Sequence, residues 1–338
     1  LIQIGYNSFP ELNSKVAHAV TFVFRNVKLG GYIGKYMNLN NGKLTANKEQ
    51  VFLEKRIDNF YLNKNDDFKE MPQSIFSYWV SPQVKHIYSK AKRLNQIAEA
   101  KQGLATADNE RFLRLWFEVS INNIGFNYNG SKIAEKGGIR WFPYNKGGKY
   151  RKWYGNGEYV INWENNGYEI KNLKNSEGKQ KSRPQNLQYM YKECITWSKI
   201  AQNKFALRYQ PKGFLFDVSG CCIFTDKIIN DKLLALMNSV VVKKLIDGVS
   251  PTVNYEVGTI EELPICNLDK YNGQFVTENI SISKTDWDSF ETSWDFKKHP
   301  LLTFKGTSNT IEGAFKKWSD FTEEQFNQLK QNEEELNR

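Results

Sequence analysis

The sequence predicts an α+β protein of more than one unit. Short apolar runs joined by glycine- and asparagine-rich turns fill the middle of the chain, segments of helical periodicity lie on either side, and 338 residues exceed what one small core needs.

The first 39 residues read as strands and turns: LIQIGY, AVTFVFRNV and YIGKYMNL. The run from Ala19 to Phe24 is apolar on both faces apart from Thr21, the pattern of a strand covered on both sides. Residues 47–64 mix charged and apolar groups at near-helical spacing. MPQSIFSYWVSP (71–82) is bounded by prolines, which favour extended or turn backbone. Helical periodicity returns through VKHIYSKAKRLNQIAEAK. Asp108 is placed to cap a helix NERFLRLWFEV, with Phe112, Leu115, Trp116 and Val119 on one stripe. From 136 to 226 the pattern is strand-like: EYVINWEN, YEIKN, KFALRY, GFLFDVS and CCIFTD, interrupted by the polar loop KNSEGKQKSRPQN. A single helix is expected over 231–249. Thr259 and Glu262 then have capping-box spacing, and Thr322 with Gln325 marks a second plausible helix start.

Composition narrows the function classes. A formal charge of +10 favours a polyanionic partner. No run of eighteen apolar residues spans a bilayer and no signal peptide is apparent, so a cytoplasmic protein without a membrane partner is expected. Cys194, Cys221, Cys222 and Cys266 lack CxxC spacing and read as reduced residues, and His18, His86 and His299 are too dispersed to suggest a metal cluster. The chain opens at Leu1 inside an apolar pattern and stops at Arg338 inside a helical one, which reads as a piece excised from a longer protein.

The densest chemical signal is KGGIRWFPYNKGGKYRKWYGNGEY, 136–159, with six basic residues, seven aromatics, six glycines and no acid before Glu158. Lysine and arginine neutralise phosphates, arginine also forks onto guanine, rings stack on bases, and glycine lets backbone approach a groove. The combination suits a module contacting double-stranded DNA through Lys146, Lys149, Arg151 and Lys152. Arg140 and Trp141 read equally as contacts or as buried partners. The opposing reading packs the rings under turns and leaves the lysines in water. DNA contact requires the stretch to face a solvent-filled cleft.

That stretch, together with FPELNSKVAHAVTFVFRN (9–26), GLATADNERFLRLWFEV (103–119), LLALMNSVVVKKLIDGVSPTVNYEVGTIEELPI (233–265) and DWDSFETSWDFKKHPLL (286–302), resembles the large adenine-specific DNA methyltransferases of BREX phage-defence systems. The resemblance implies an enzyme that transfers a methyl group from S-adenosylmethionine to adenine N6. The Asn-Pro-Pro-Tyr motif of that family is absent, and Gly30-Gly31-Tyr32-Ile33-Gly34 is not a convincing cofactor loop. The chain alone is therefore expected to be inactive and to hold no cofactor, S-adenosylmethionine belonging to the full-length enzyme.

By that resemblance, residues 1–45 are the terminal strands of the catalytic sheet and 46–99 a helical spacer. Residues 100–268 are a mixed α/β target-recognition domain, and 269–338 a helical extension. Partners implied are double-stranded DNA, a missing N-terminal catalytic domain and other defence-system subunits. Thr106 and Asn109 occupy the place of a family Thr-Gly-Asp-Asn-like string and join the DNA-contact candidates, although Ala107 replaces the glycine. Asn254 and Tyr255 are expected to link helix and strand, and Trp287, Trp294 and His299 to pack the C-terminal part. Two other functions compete: a protein-docking module, and a metal-dependent nuclease centred on Glu158, Glu169 and Lys171.

Overall fold

The computed structural model describes residues 1–6, 8–9, 18–27, 29–40, 47–54, 57–126, 128, 138–201, 205–250, 254–306 and 308–338. Residues 10–17, Lys136 and Gly137, Lys204, and 251–253 of the stretches quoted above lie outside the described residues. The fold is mixed α/β with several sheets, in keeping with the α+β class, and divides into two compact units, Leu1–Ala91 and Lys92–Arg338.

The first unit contains β1 (Ile2–Gly5), β2 (Ala19–Thr21), β3 (Ile33–Asn38), α1 (Lys48–Glu54), β4 (Phe60–Lys64) and α2 (Pro82–Lys90). Its sheet has the order β2-β1-β3-β4, with β1 parallel to β3 and the other pairs antiparallel. Tyr36, Phe68 and Tyr78 form its buried aromatic centre, Tyr36 and Tyr78 stacking at 5.4 Å. The helical reading of 47–64 is met over Lys48–Glu54, whereas Phe60–Lys64 is a strand that pairs with Ile33–Met37 of β3. Among the described residues the expected two-sided cover over Ala19–Phe24 is not found. β2 is an edge strand three residues long, and Val20, Phe22, Val23 and Phe24 are exposed.

In the second unit the chain order is β5 (Lys92–Arg93), β6 (Glu99–Lys101), α3 (Asn109–Phe112), β7 (Leu113–Leu115), β8 (Trp141–Asn145), β9 (Tyr159–Asn162), α4 (Glu164–Lys171), β10 (Cys194–Ser198), β11 (Leu207–Gln210), β12 (Leu215–Phe216), β13 (Gly220–Phe224), α5 (Lys227–Met237), α6 (Val240–Val249), α7 (Val257–Glu261), β14 (Pro264–Ile265), α8 (Gly273–Asp288), α9 (Pro300–Thr303) and α10 (Ile311–Leu336). Two four-stranded sheets, β11-β10-β13-β6 and β12-β8-β9-β7, share a core that includes Phe112, Phe142, Tyr144, Ile161, Leu215 and Cys222, and β5 pairs with β14 in a small ribbon. Cys194, Cys221 and Cys222 are buried free thiols, and burial pushes the Cys221 thiol up to about 12.

Several local expectations yield to tertiary pairing. The helix expected beyond residue 83 stops at Lys90, after which β5 and β6 form. The helix expected over 109–119 ends at Phe112, since Leu113, Arg114 and Leu115 alternate faces and pair with Ile161, Val160 and Tyr159 of β9. The helix expected over 231–249 is two helices. Asn238 at the break accepts from Leu207 N at 2.9 Å and donates to Leu207 O at 3.0 Å, and Ser239 caps α6 through Val242 N.

Residues 168–172, expected as a strand, are instead helical through Lys171. A left-handed Asn165-Asn166-Gly167 turn leads into them, and a Cβ at Gly167 would sit 2.5 Å from the Trp163 ring. Neither the capping box at Thr259 nor the helix start at Thr322 is met: α7 follows Glu256, and α10 starts after Thr310, whose Oγ1 accepts from Gly313 N.

Candidate nucleic-acid interface

The loop joining β8 to β9 carries most of the basic-aromatic stretch, and carboxylates from two remote helices cover it. Trp153 is 1% exposed, docks its backbone on β11 through Leu207 O and Tyr209 N, and donates its indole N–H to Glu333 Oε1 of α10 at 2.8 Å. Lys152 pairs with the other oxygen of the same carboxylate at 2.9 Å. Arg151 pairs with Asp286 of α8 and lies 5.0 Å from the Trp287 ring centre. Lys146 approaches the buried Asp217 carboxylate at 3.4 Å, which also accepts from Tyr144 at 2.7 Å. Beneath them Arg208 is fully buried, donating to Arg151 O and Ser198 Oγ, both at 3.4 Å, and burial lowers its pKa to about 10.

The expectation that rings and ammonium groups of 146–154 jointly face solvent is therefore corrected. Three of the four cations have intramolecular carboxylates, and the indole is core. Lys149 differs: it is exposed, and its ammonium has no carboxylate partner among the described residues.

A second cluster forms where the sheet brings distant residues together. Trp141 opens β8 and Arg114 lies on β7, two strands away across β9. Strand alternation turns Leu113, Phe142 and Ile161 into the core and leaves Arg114 and Trp141 on the opposite face. The Arg114 guanidinium lies 5.9 Å and that of Arg140 5.4 Å from the Trp141 ring centre, so one partly exposed indole is flanked by two arginines. Arg114 is anchored by bonds to the Glu110 and Leu113 carbonyls, each 2.6 Å. Arg140 is loosely paired with Glu164 at 4.0 Å, and Arg111 pairs with Glu169; both arginines are about half exposed at the side chain, 55% and 50%. Arg111 and Arg114 were legible only as the polar face of a helix. The signal that Arg114 lies on a strand was the Leu-Arg-Leu alternation, while Arg111 stays on α3.

Beside them, Thr106 is buried and its hydroxyl donates to Asn109 Oδ1 at 2.7 Å while accepting from Asp108 N at 3.3 Å. Ala107 adopts φ +63°, a left-handed conformation that glycine takes without cost. Asp108 caps α3 through Arg111 N at 3.1 Å, and Asn109 is exposed. The Thr-Ala-Asp-Asn string thus holds Asn109 and Arg111 in place, with the Thr106 side chain inside. Tyr255 donates its N–H to Lys199 O and accepts from the Trp197 indole, the expected link between elements. Trp287 and Trp294 pack as expected, and His299 lies 5.8 Å from Trp318.

The competing nuclease arrangement is not assembled. Glu169 is held by Arg111, the Lys171 ammonium lies 5.2 Å from the Trp163 ring centre, and no three His, Cys, Asp or Glu residues among those described converge as metal ligands. Gly30 and Gly31 form a turn leading into β3 rather than a helix start, so these residues do not fit a methyl-donor loop.

No family model matches the chain. Along its entire length it is 36% identical to an adenine-specific methyltransferase, PglX, of Lacticaseibacillus casei, over 349 aligned residues. It is also 32% identical over 343 residues to the adenine-specific methyltransferase BrxX of Escherichia coli. The resemblance read from the quoted stretches therefore extends over the whole chain. The chain spans 29% and 26% of the length of these two proteins.

Proposed function

We propose that this chain is the DNA-reading part of a site-specific adenine-N6 DNA methyltransferase acting in cytoplasmic phage defence, with methyl transfer from S-adenosylmethionine performed by another part of a longer protein. The single observation that carries the reading is the Arg114–Trp141–Arg140 cluster, with Arg111 and Asn109 beside it, in a chain similar throughout to adenine-specific methyltransferases. Guanidinium groups fixed over an indole present forked donors to phosphate or guanine edges while the ring gives a flat apolar face. Lys149 extends the cationic contact set. Lys146, Arg151 and Lys152 hold the loop to Asp217, α8 and α10, and Thr106 positions Asn109. Residues 100–268 form the reading domain in this proposal, with 269–338 bracing it.

The β2 strand, at the edge of its sheet among the described residues and with Val20, Phe22, Val23 and Phe24 exposed, supports assigning 1–45 to the last strands of a larger catalytic sheet. A docking role has support of its own in the exposed Ile311, Phe315 and Phe326 of α10.

The test is fluorescence anisotropy of a mixed-sequence DNA duplex at about 50 and 200 mM salt, the range over which phosphate contacts weaken steeply. Arg111→Ala, Arg114→Ala and Arg140→Ala should each weaken binding and shrink the slope of log K against log salt by up to about 0.9 per lost phosphate contact. Wild-type binding that ignores salt, or a triple variant that binds as wild type, refutes the proposal.

A further inference from the structure

The second unit also holds an open concavity of about 620 Å³, whose lining includes Pro143, two residues beyond Trp141 on β8. That is inside the range, roughly 300–1,000 Å³, of sites that accept small organic ligands. One wall is aromatic. Trp294 lies 5.3 Å from Phe126 and 5.6 Å from Phe214 between ring centres, and Tyr154 adds a fourth ring. Gly157 lets the indole approach the β8–β9 loop, since a Cβ there would stand 3.1 Å from it.

The rim is cationic. Lys212, in the turn between β11 and β12, and Lys297, after α8, both line the opening, are exposed, and have no carboxylate partner among the described residues. A third lysine of the lining, Lys284, is already engaged by Asp288 and, at 2.9 Å, by Asp295, the one acid in the lining. With Asp288 counted beside Asp295, three lysines meet two carboxylates, and the excess positive charge lies at Lys212 and Lys297 on the rim.

These features select a ligand class. A cation would be repelled by the rim, although rings alone would suit one. A purely apolar molecule would leave two ammonium groups unused. A carboxylate or phosphate without a ring would leave the aromatic wall bare. The geometry points to a nucleotide site, in which a base lies against Phe126, Phe214 and Trp294 while its phosphate sits between Lys212 and Lys297. Ring stacking combined with lysine contacts is the general means by which unpaired nucleotides are held. The site extends the DNA-reading proposal and rests on it only for the source of the nucleotide, which is either a base displaced from a strand or a free mononucleotide.

Two probes separate those sources in the full chain: thymidine 5′-monophosphate, read by saturation-transfer NMR, and a labelled thymidine octanucleotide, read by anisotropy. Binding of both within a few-fold marks a mononucleotide site, and binding of the octanucleotide alone marks a strand site. In either case Trp294→Ala and the double variant Lys212→Glu/Lys297→Glu should each weaken binding at least ten-fold, with Trp294→Phe retaining most of it. The double variant changes only exposed side chains, so it remains informative if Trp294→Ala fails to fold. Arg111→Ala/Arg114→Ala/Arg140→Ala should lose duplex binding yet keep the mononucleotide or octanucleotide, which separates failure of this site from failure of the duplex-reading proposal. Absence of binding by both probes at millimolar concentration, or equal binding by the double variant, overturns the inference.

Discussion

Replacing Glu333 by alanine tests whether the basic-aromatic loop is a structural seat for the C-terminal helix. The Glu333 carboxylate accepts the Trp153 indole N–H at 2.8 Å and pairs with Lys152 at 2.9 Å. Trp153 is 1% exposed with that carboxylate in place, so its indole N–H relies on Glu333 as acceptor. An orphaned buried donor costs about 1–3 kcal/mol. The ion pair, with side chains 23% and 25% exposed, adds at most about 1 kcal/mol. Glu333→Ala should therefore lower unfolding free energy by about 2–3 kcal/mol, whereas Glu333→Gln, which keeps an acceptor for the indole, should lose less than about 1 kcal/mol. Urea unfolding followed by tryptophan fluorescence, with slopes compared between variants, measures both. A loss below about 0.5 kcal/mol for the alanine variant, or equal losses for the two, refutes the reasoning.

Further expectations concern single positions. Ala107→Gly relieves a left-handed alanine worth about 1–2 kcal/mol and gives back somewhat less through unfolded-chain entropy; it should raise the melting temperature by about 2 °C, and a fall would contradict the strain argument. Asn238→Ala removes the acceptor of the buried Leu207 N–H, while the Leu207 carbonyl keeps Trp153 N as a donor, and should cost about 1–3 kcal/mol in the same urea assay, with no loss meaning that water substitutes. Hydrogen bonding from Lys199, opposed by partial burial, holds the Glu256 carboxyl below its usual 4.5. The depressed folded-state pKa adds stability that is present above pH 4.5 and lost as pH falls through the folded value. Glu256 is 48% exposed, so Glu256→Gln should flatten the acid loss of stability by less than about 1 kcal/mol, seen by comparing midpoints at neutral and acidic pH.

Much of the fold and the family likeness was legible in local pattern. Strand-like runs marked β9, β11, β12 and β13, whereas β10 was not read; the prolines at 72 and 82 bounded an irregular stretch, and Asp108 did cap a helix. What local pattern missed was pairing across distance: Leu113–Leu115 looked helical until β9 was there to pair with it, and Asn238 broke a helix only because its amide meets the edge of β11.

The same division governs function. Composition alone established an excess of positive charge and a segment dense in rings, because both are sums over residues. Which cations remain available to a polyanion was decided by the tertiary structure. Asp286 lies 135 residues from Arg151 and Glu333 lies 181 from Lys152, and folding brings those charges together while leaving Lys149 and the arginines around Trp141 toward solvent. Coulomb attraction depends on separation in space, and separation along the chain carries no record of it.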